Sequence, residues 1–319
     1  MSKRALLVGV DDYEYFDNLS CCVDDAKQME ALLKTHADKS PNYHCTRLSS
    51  DRDEVTEGSL RVALRKLTSG ANQGDDLLFY FSGHGMIIDG EGALVTQDAR
   101  PNDVGFPMYE LLRRVNRCGA GSVMIILDCC HSGEMGNTGN GGTINQTTLS
   151  EGVTILSASS PHEVSQEGML NSLFTELVMA ALSGGAADVR GYVSAASIYA
   201  YVEQALGPWQ QRPMYKSYAP RLDPLRLCTP SVPDEILRQL PTLFRGPDAA
   251  LNLDPTWEIT SKPNNPENVK KFDLLKILRD GRLLDRGGEN LYDLALDSGA
   301  VRLTPLGRLY WQLANKGII

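Results

Sequence analysis

A chain of 319 residues, 42% hydrophobic and 22% charged, has the make-up of an ordinary globular protein with one large domain or two, which excludes a disordered chain. Its formal net charge of −9 speaks against general nucleic-acid binding, which needs a basic surface to displace counterions. Cysteines at 21, 22, 45, 118, 129, 130 and 228 are odd in number and include two adjacent pairs, which points to reduced thiols in a cytoplasmic protein. Adjacent cysteines lack zinc-ligand spacing, so neither a metal nor another cofactor is expected.

The first apolar run, Ala5–Val10, stops at Asp11 and Asp12, short of the ~7–15 residues of a signal-peptide core. No stretch approaches the ~18 apolar residues of a membrane helix, so no membrane partner is expected. Ala5–Val10 reads instead as a strand, as do His44–Ser49, Asp76–Phe81, Ser122–Leu127 and Val153–Ala158. The runs Leu77–Phe81 and Val123–Leu127 are apolar without alternation, the pattern of strands buried on both faces of a mostly parallel sheet. Between them, Val23–Thr35 carries Val23, Ala26, Met29, Leu32 and Leu33 at helical spacing, and Glu57–Thr68 carries Leu60, Leu64 and Leu67. The order β-α-β-α-β predicts an open α/β sheet with helices on both faces.

Glu134–Gly152, rich in Gly, Asn and Thr, reads as a long loop. Helices are expected over Ser172–Leu182 and Ser194–Leu206, and Gln211–Pro233 then leads out of the domain, with a boundary near Pro230–Pro233. In the tail, Phe272–Leu278 and Leu291–Leu296 read as helices. From Ala300 a short strand, a Pro-started turn and an amphipathic helix follow, a winged-helix-like ending for a small α+β domain. Lys and Arg balance Asp and Glu over 234–319, which weakens a DNA-binding reading of that tail. Its aromatic and basic residues (Trp257, Tyr292, Tyr310, Trp311, Arg302, Arg308) read first as core and second as a surface that stacks on a nucleotide.

Two strand ends carry chemistry. The strand Asp76–Phe81 runs into Ser82-Gly83-His84-Gly85, and Ser122–Leu127 runs into Asp128-Cys129-Cys130-His131-Ser132-Gly133. Ligands of open α/β sheets bind at such carboxyl ends. A thiol is a poor nucleophile until an imidazole takes its proton, so a His and a Cys at strand ends suit each other. The small residues Gly83 and Gly85 leave room for a substrate backbone, and backbone N–H groups near Gly85 and Cys130 suit an oxyanion hole. Taken singly, each is an ordinary residue, a small core Cys and a turn His. The His precedes the Cys by roughly the ~50 residues of the caspase pattern, although the local caspase Cys signature is absent.

These motifs resemble the caspase-like cysteine peptidases, and are closer to metacaspases and their bacterial orthocaspase-type relatives than to animal caspases. The likeness continues through Thr154-Ile-Leu-Ser-Ala-Ser-Ser-Pro and Ser172-Leu-Phe-Thr and ends at Pro224-Leu-Arg-Leu, so it covers residues 1–229 and leaves 230–319 as a further, regulatory or sensor domain. The resemblance implies a caspase-like fold with Cys130, immediately before His-Ser-Gly, as nucleophile and His84 as base, with no third member. It implies a specificity pocket lined by Asp128 and Asp25, with Asp24 as the competing neighbour. Two carboxylates favour a guanidinium or ammonium, so protein or peptide substrates would be cut after Arg or Lys. Asp25 reads second as a first-turn residue favoured by a helix dipole.

No Lys or Arg occurs between Arg117 and Arg190, so an enzyme with this preference would not cut its own Gly/Asn-rich loop and would work as one uncut chain. Some metacaspases need calcium, but no full carboxylate site is assignable. By analogy with bacterial defence proteases, the tail would hold the peptidase inactive until a partner or small nucleotide signal binds. Two other classes compete: a catalytically silent caspase-fold signalling scaffold, and a DNA-binding regulator built on the tail.

Overall fold

A computed structural model of the chain describes residues 2–88, 91–101, 103, 105–129, 149–158, 170–206, 213–219 and 223–319. The chain divides into two compact units, Met1–Ala187 with Tyr192–Cys228, and Asp188–Gly191 with Thr229–Ile319.

The first unit begins β1 (Lys3–Gly9), α1 (Cys22–Leu33), β2 (His44–Ser49), α2 (Glu57–Thr68) and β3 (Asp76–Ser82). A small antiparallel sheet of β4 (Gly85–Ile88), β5 (Glu91–Leu94) and β6 (Phe106–Pro107) follows. Then come α3 (Met108–Val115), β7 (Ser122–Asp128), β8 (Val153–Ser157) and α4 (Leu170–Ala180), which continues into a π-turn over Ala181–Gly185. The unit ends with β9 (Tyr192–Val193), α5 (Ala195–Leu206), β10 (Met214–Tyr218) and β11 (Arg226–Leu227).

The main sheet runs β10-β8-β7-β3-β1-β2, parallel throughout except for β10. Its core is doubly layered because strand side chains alternate. Leu6, Val8, Leu77, Phe79, Phe81, Val123, Ile125 and Leu127 pack with α2 and α3 through Leu60, Leu64, Leu111 and Leu112. Ala5, Leu7, Leu78, Tyr80, Met124 and Ile126 face α1, α4 and α5 through Ala26, Met29, Leu33, Phe174, Val178, Ile198 and Val202. Strand β10 differs from the sequence expectation, which treated its residues as part of a segment leaving the domain. Its half-buried, polar Met-Tyr-Lys-Ser-Tyr suits an antiparallel edge, where one face and one row of backbone groups stay wet.

The second unit holds α6 (Asp234–Leu237), α7 (Leu240–Leu243), β12 (Leu251–Asn252), α8 (Pro266–Asp280), β13 (Leu284–Asp285), α9 (Leu291–Leu296), β14 (Ala300–Leu303) and α10 (Pro305–Asn315). Its strands form an antiparallel sheet in the order β12-β14-β13. Thr304 caps α10 by accepting the Gly307 N–H, with Pro305 at the first helical position. The unit has its own core, which includes Phe244, Trp257, Phe272, Leu275, Leu278 and Tyr310. Trp257 and Tyr310, weighed above as nucleotide-stacking groups, are buried there. Asp188–Gly191 belongs with this unit, a detail that a single boundary near residue 230 does not capture.

Candidate active site

The two motif-bearing strands are direct neighbours. In the parallel β3–β7 pair Ser82 stands opposite Asp128, and the Gly83 N–H donates to the Asp128 carbonyl at 3.3 Å. The chain therefore leaves both strands side by side at the carboxyl edge of the sheet, where strand order reverses between β1 and β3.

His84 is held at three points. Its N–H donates to the phenolic oxygen of Tyr13 at 2.9 Å, its carbonyl accepts the Val95 N–H at 3.0 Å, and its Nε2 lies 2.8 Å from the carbonyl oxygen of Asp17. A carbonyl only accepts, so this contact places the ring proton on Nε2 and leaves Nδ1 as the basic nitrogen of the neutral imidazole. The Tyr13 ring packs against the imidazole with centroids 4.8 Å apart. Gly83 has a structural reason beyond the room for substrate expected of it. A Cβ there would lie 2.7 Å from the Tyr13 hydroxyl oxygen and 3.0 Å from the Phe81 ring.

The acidic pair lies on the α1/α4 face, because Asp128 and Ser82 continue the alternation of Met124, Ile126 and Tyr80. Asp128 is 1% exposed and Asp25 is 6% exposed. Thr175 of α4 donates to Asp128 Oδ2 at 2.5 Å, and the Tyr80 hydroxyl lies 2.7 Å from the same threonine oxygen. Among the described residues, Asp128 Oδ1 and Asp25 Oδ2 are buried without a hydrogen-bond partner. Burial pushes the Asp25 carboxyl up to about 6, the Asp11 and Asp24 charges push the same way, and a Ser82 hydrogen bond opposes them. Burial raises Asp128 well above the carboxylate range, with Thr175 opposing and the Asp25 charge adding. The neighbouring Asp24 points elsewhere: its side chain is 68% exposed and pairs with Lys27 at 3.2 Å.

Helix α1 holds Asp25 in place through a cap that comes from outside the helix. Cys21, at its N-terminus, makes no side-chain cap. Asp11 takes over, accepting the Cys22 N–H at 2.8 Å and the Val23 N–H at 3.3 Å. Gly9 permits this approach, since a Cβ there would lie 2.3 Å from the Cys22 carbonyl oxygen.

Among the described cysteines, burial raises the thiol pKa of Cys21 and of Cys22, and that of Cys45 to about 11, which keeps them in the weakly nucleophilic thiol form. Cys129 is fully buried on the α2/α3 face. The Cys228 thiol donates to the Leu182 carbonyl. Cys118 lies between α3 and the amino end of β7, away from the His84 edge. Cys130, the expected nucleophile and second oxyanion donor, lies outside the described residues, as do residues 131–133, residues 134–148 of the expected loop, and residues 159–161 of the Thr154 motif. Gly85 opens β4 opposite Leu94. Among the described residues no group of three His, Cys, Asp or Glu is placed to hold a metal ion, and no helix is long and apolar enough to cross a membrane.

Sequence reasoning missed Tyr13, the Asp17 carbonyl, Asp11 and Thr175. Thr175 stood within a quoted motif. A backbone carbonyl and a remote cap leave no mark in local sequence.

Comparisons with known proteins bear on the family and the fold. The caspase domain family profile matches residues 2–223. Metacaspase-1 of Scheffersomyces stipitis is 28% identical over 149 residues, spanning 41% of this chain and 36% of that protein. Metacaspase-7 of Arabidopsis thaliana is 27% identical over 146 residues, spanning 42% of this chain and 35% of that protein. The match thus spans about a third of the length of these relatives. Among solved structures, a protein of Geobacter sulfurreducens superposes with a TM-score of 0.53 at 16% identity, over 72% of this chain and 100% of its own. The Drosophila initiator caspase Dronc gives a TM-score of 0.47 at 13% identity, over 71% of this chain and 82% of its own.

Proposed function

Because this chain belongs to the caspase domain family of cysteine-type peptidases, we propose that it is an endopeptidase that cleaves proteins after Arg or Lys with Cys130 as nucleophile and His84 as base. The observation that carries this reading is the β3–β7 register, which ends the His84 strand and the strand leading to Cys130 beside each other. The exclusion of Cys129, fully buried on the opposite layer, supports Cys130 as the thiol that meets substrate.

In this reading His84 Nδ1 removes the Cys130 thiol proton, and the thiolate attacks the scissile carbonyl carbon. Backbone N–H groups of Gly85 and Cys130 stabilise the oxyanion. The imidazolium returns its proton to the leaving amine as the C–N bond breaks, and a water activated by His84 hydrolyses the thioester. The Asp17 carbonyl orients the ring throughout and steadies the positive charge on it.

Asp25 and Asp128 would receive the cationic side chain. Two buried carboxyls whose charged forms are penalised, each with one oxygen that has no hydrogen-bond partner among the described residues, are poised for a guanidinium that satisfies both. Residues 230–319, which lie beyond the matched family region and have their own core, would serve as the regulatory part that answers a partner or a small nucleotide signal. A cytoplasmic setting suits Cys21, Cys22, Cys45, Cys118 and Cys228, which form no disulfide among the described residues.

The test is a mass-spectrometric map of cuts in a proteome-derived peptide library, with Cys130→Ala as control. Cuts confined to bonds after Arg or Lys and absent from the control are expected. Cuts after Asp, or equal cutting by the control, would overturn the reading.

A further inference from the structure

We propose that the hollow between the C-terminal ends of α2 and α3 binds an oligophosphate group, such as a nucleoside triphosphate or inorganic polyphosphate carries. This site lies in the first unit and is separate from the peptidase centre. The hollow measures about 560 Å³ and is lined by Arg65, Arg113, Arg114 and Arg117, with Glu110 as its one acid. That acid is already engaged, because Arg61 holds it through Nε at 3.1 Å and a second nitrogen at 2.9 Å, with Arg114 at 3.7 Å. Arg65, Arg113 and Arg117 have no ion pair among the described residues, although the chain as a whole carries nine excess negative charges.

A helix C-terminus attracts a cation in its last turn, which accounts for Arg65 on α2 and for Arg113 and Arg114 on α3. It does not account for Arg117, which lies past the end of α3. Nor does it by itself account for the convergence of Arg65, Arg113 and Arg117, exposed and without an ion pair among the described residues, on one hollow. Guanidinium forks match phosphate oxygens two at a time, and three such forks suit several phosphates linked within a few ångströms. The acidic surface elsewhere opposes an extended polyanion that runs beyond the hollow, so a compact ligand is favoured over nucleic acid.

The two helices feed β3 and β7 at their amino ends, and a seven-residue strand puts the hollow roughly 20 Å from the His84 edge. A bound oligophosphate therefore does not compete with substrate. It would tie together the helices that lead into the two strands carrying the motifs.

Isothermal titration of the full chain with sodium tripolyphosphate, ATP, inorganic phosphate and a short single-stranded oligonucleotide tests this without reference to peptidase activity. Tripolyphosphate and ATP should bind one to one near physiological salt, and inorganic phosphate about tenfold or more weakly. Arg113→Gln/Arg117→Gln should lose about tenfold or more in affinity, while Lys316→Gln, on the other unit, should lose nothing. Equal affinities for ATP and tripolyphosphate would assign recognition to the phosphates alone, and tighter ATP binding would add the nucleoside. Arg65→Gln repeats the test should the double variant fail to fold. No heat from either oligophosphate at about 1 mM, undiminished affinity in folded variants, or tighter oligonucleotide binding that grows with length would each overturn the proposal.

Discussion

The phenolic oxygen of Tyr13 accepts the backbone N–H of His84 at 2.9 Å, and its ring lies 4.8 Å from the imidazole, centroid to centroid. Tyr13 is 8% exposed, and burial pushes its pKa well up, so it serves as a neutral acceptor and a wall rather than as an acid. Tyr13→Phe leaves that N–H unpaired, at a cost of about 1–2 kcal/mol. A lower melting temperature is expected, together with a kcat loss of about 3- to 30-fold and little change in KM, because the ring shifts while the specificity pocket does not. Gly83→Ala should be worse alone than beside Tyr13→Phe, since its Cβ would meet the phenolic oxygen at 2.7 Å. A double-mutant cycle that came out additive in melting free energy would show that the two positions do not share this contact.

Asp25 supplies a sign that can be checked. Its folded pKa of about 6 lies above the ordinary value of 3.8. Such a group stabilises the fold below the unfolded value, and that contribution is lost as pH rises through the folded value. Asp25→Asn should therefore melt higher than the unaltered chain at about pH 7.5, by up to about 3 kcal/mol, with the difference closing by about pH 4. The same variant should lose cleavage after Arg. A more stable protein without its specificity is the signature of a carboxylate kept for binding. A variant that melts lower at neutral pH, or keeps its Arg preference, would refute the assignment.

The sheet was legible because its signals are local and strong. His44–Ser49, Glu57–Thr68 and Leu291–Leu296 were bounded correctly to the residue, since apolar spacing and turn residues frame each of them. Strand β10 was not legible, because Lys216, Ser217 and Tyr218 give an edge strand no apolar run. At the site, His84, Asp25 and Asp128 were named from motif positions, whereas their supports were not. Asp11 was visible only as the residue that ends an apolar run, yet in three dimensions it caps α1 and presses on Asp25. Supports of this kind depend on contacts across loops, and local sequence carries no trace of their partners.

Asp11 also allows charge to be separated from structure. Asn at position 11 retains one oxygen that can accept the Cys22 N–H, so the shorter cap bond survives and the longer one to Val23 is lost, while the negative charge that raises the Asp25 pKa is gone. The carboxylate of Asp25 then forms at lower pH. The acid limb of kcat/KM for Arg peptides, set near pH 6 by Asp25, should move downward in Asp11→Asn. Asp11→Ala should add a stability loss of about 1–2 kcal/mol from the lost cap. Ser82→Ala removes the hydrogen bond that favours ionised Asp25, so it should move the same limb upward. Limbs that fail to separate in these opposite directions would mean that a different group controls the acid side.

The absence of Lys and Arg between Arg117 and Arg190 makes a final prediction about maturation. An enzyme restricted to basic residues finds no bond to cut in the Gly/Asn-rich segment after Cys130, so the active protein should run as one band on a denaturing gel and activation should be conformational. Asn140→Arg places an acceptable residue amid glycines and asparagines, the composition of readily nicked loop tips. That variant should convert to two fragments on activation, with the new end after residue 140. The conversion should vanish when Cys130→Ala is added, and it should not occur with Asn140→Gln. An active, unaltered chain found cleaved between 134 and 152 would contradict both the uncut-chain reading and the basic specificity from which it follows.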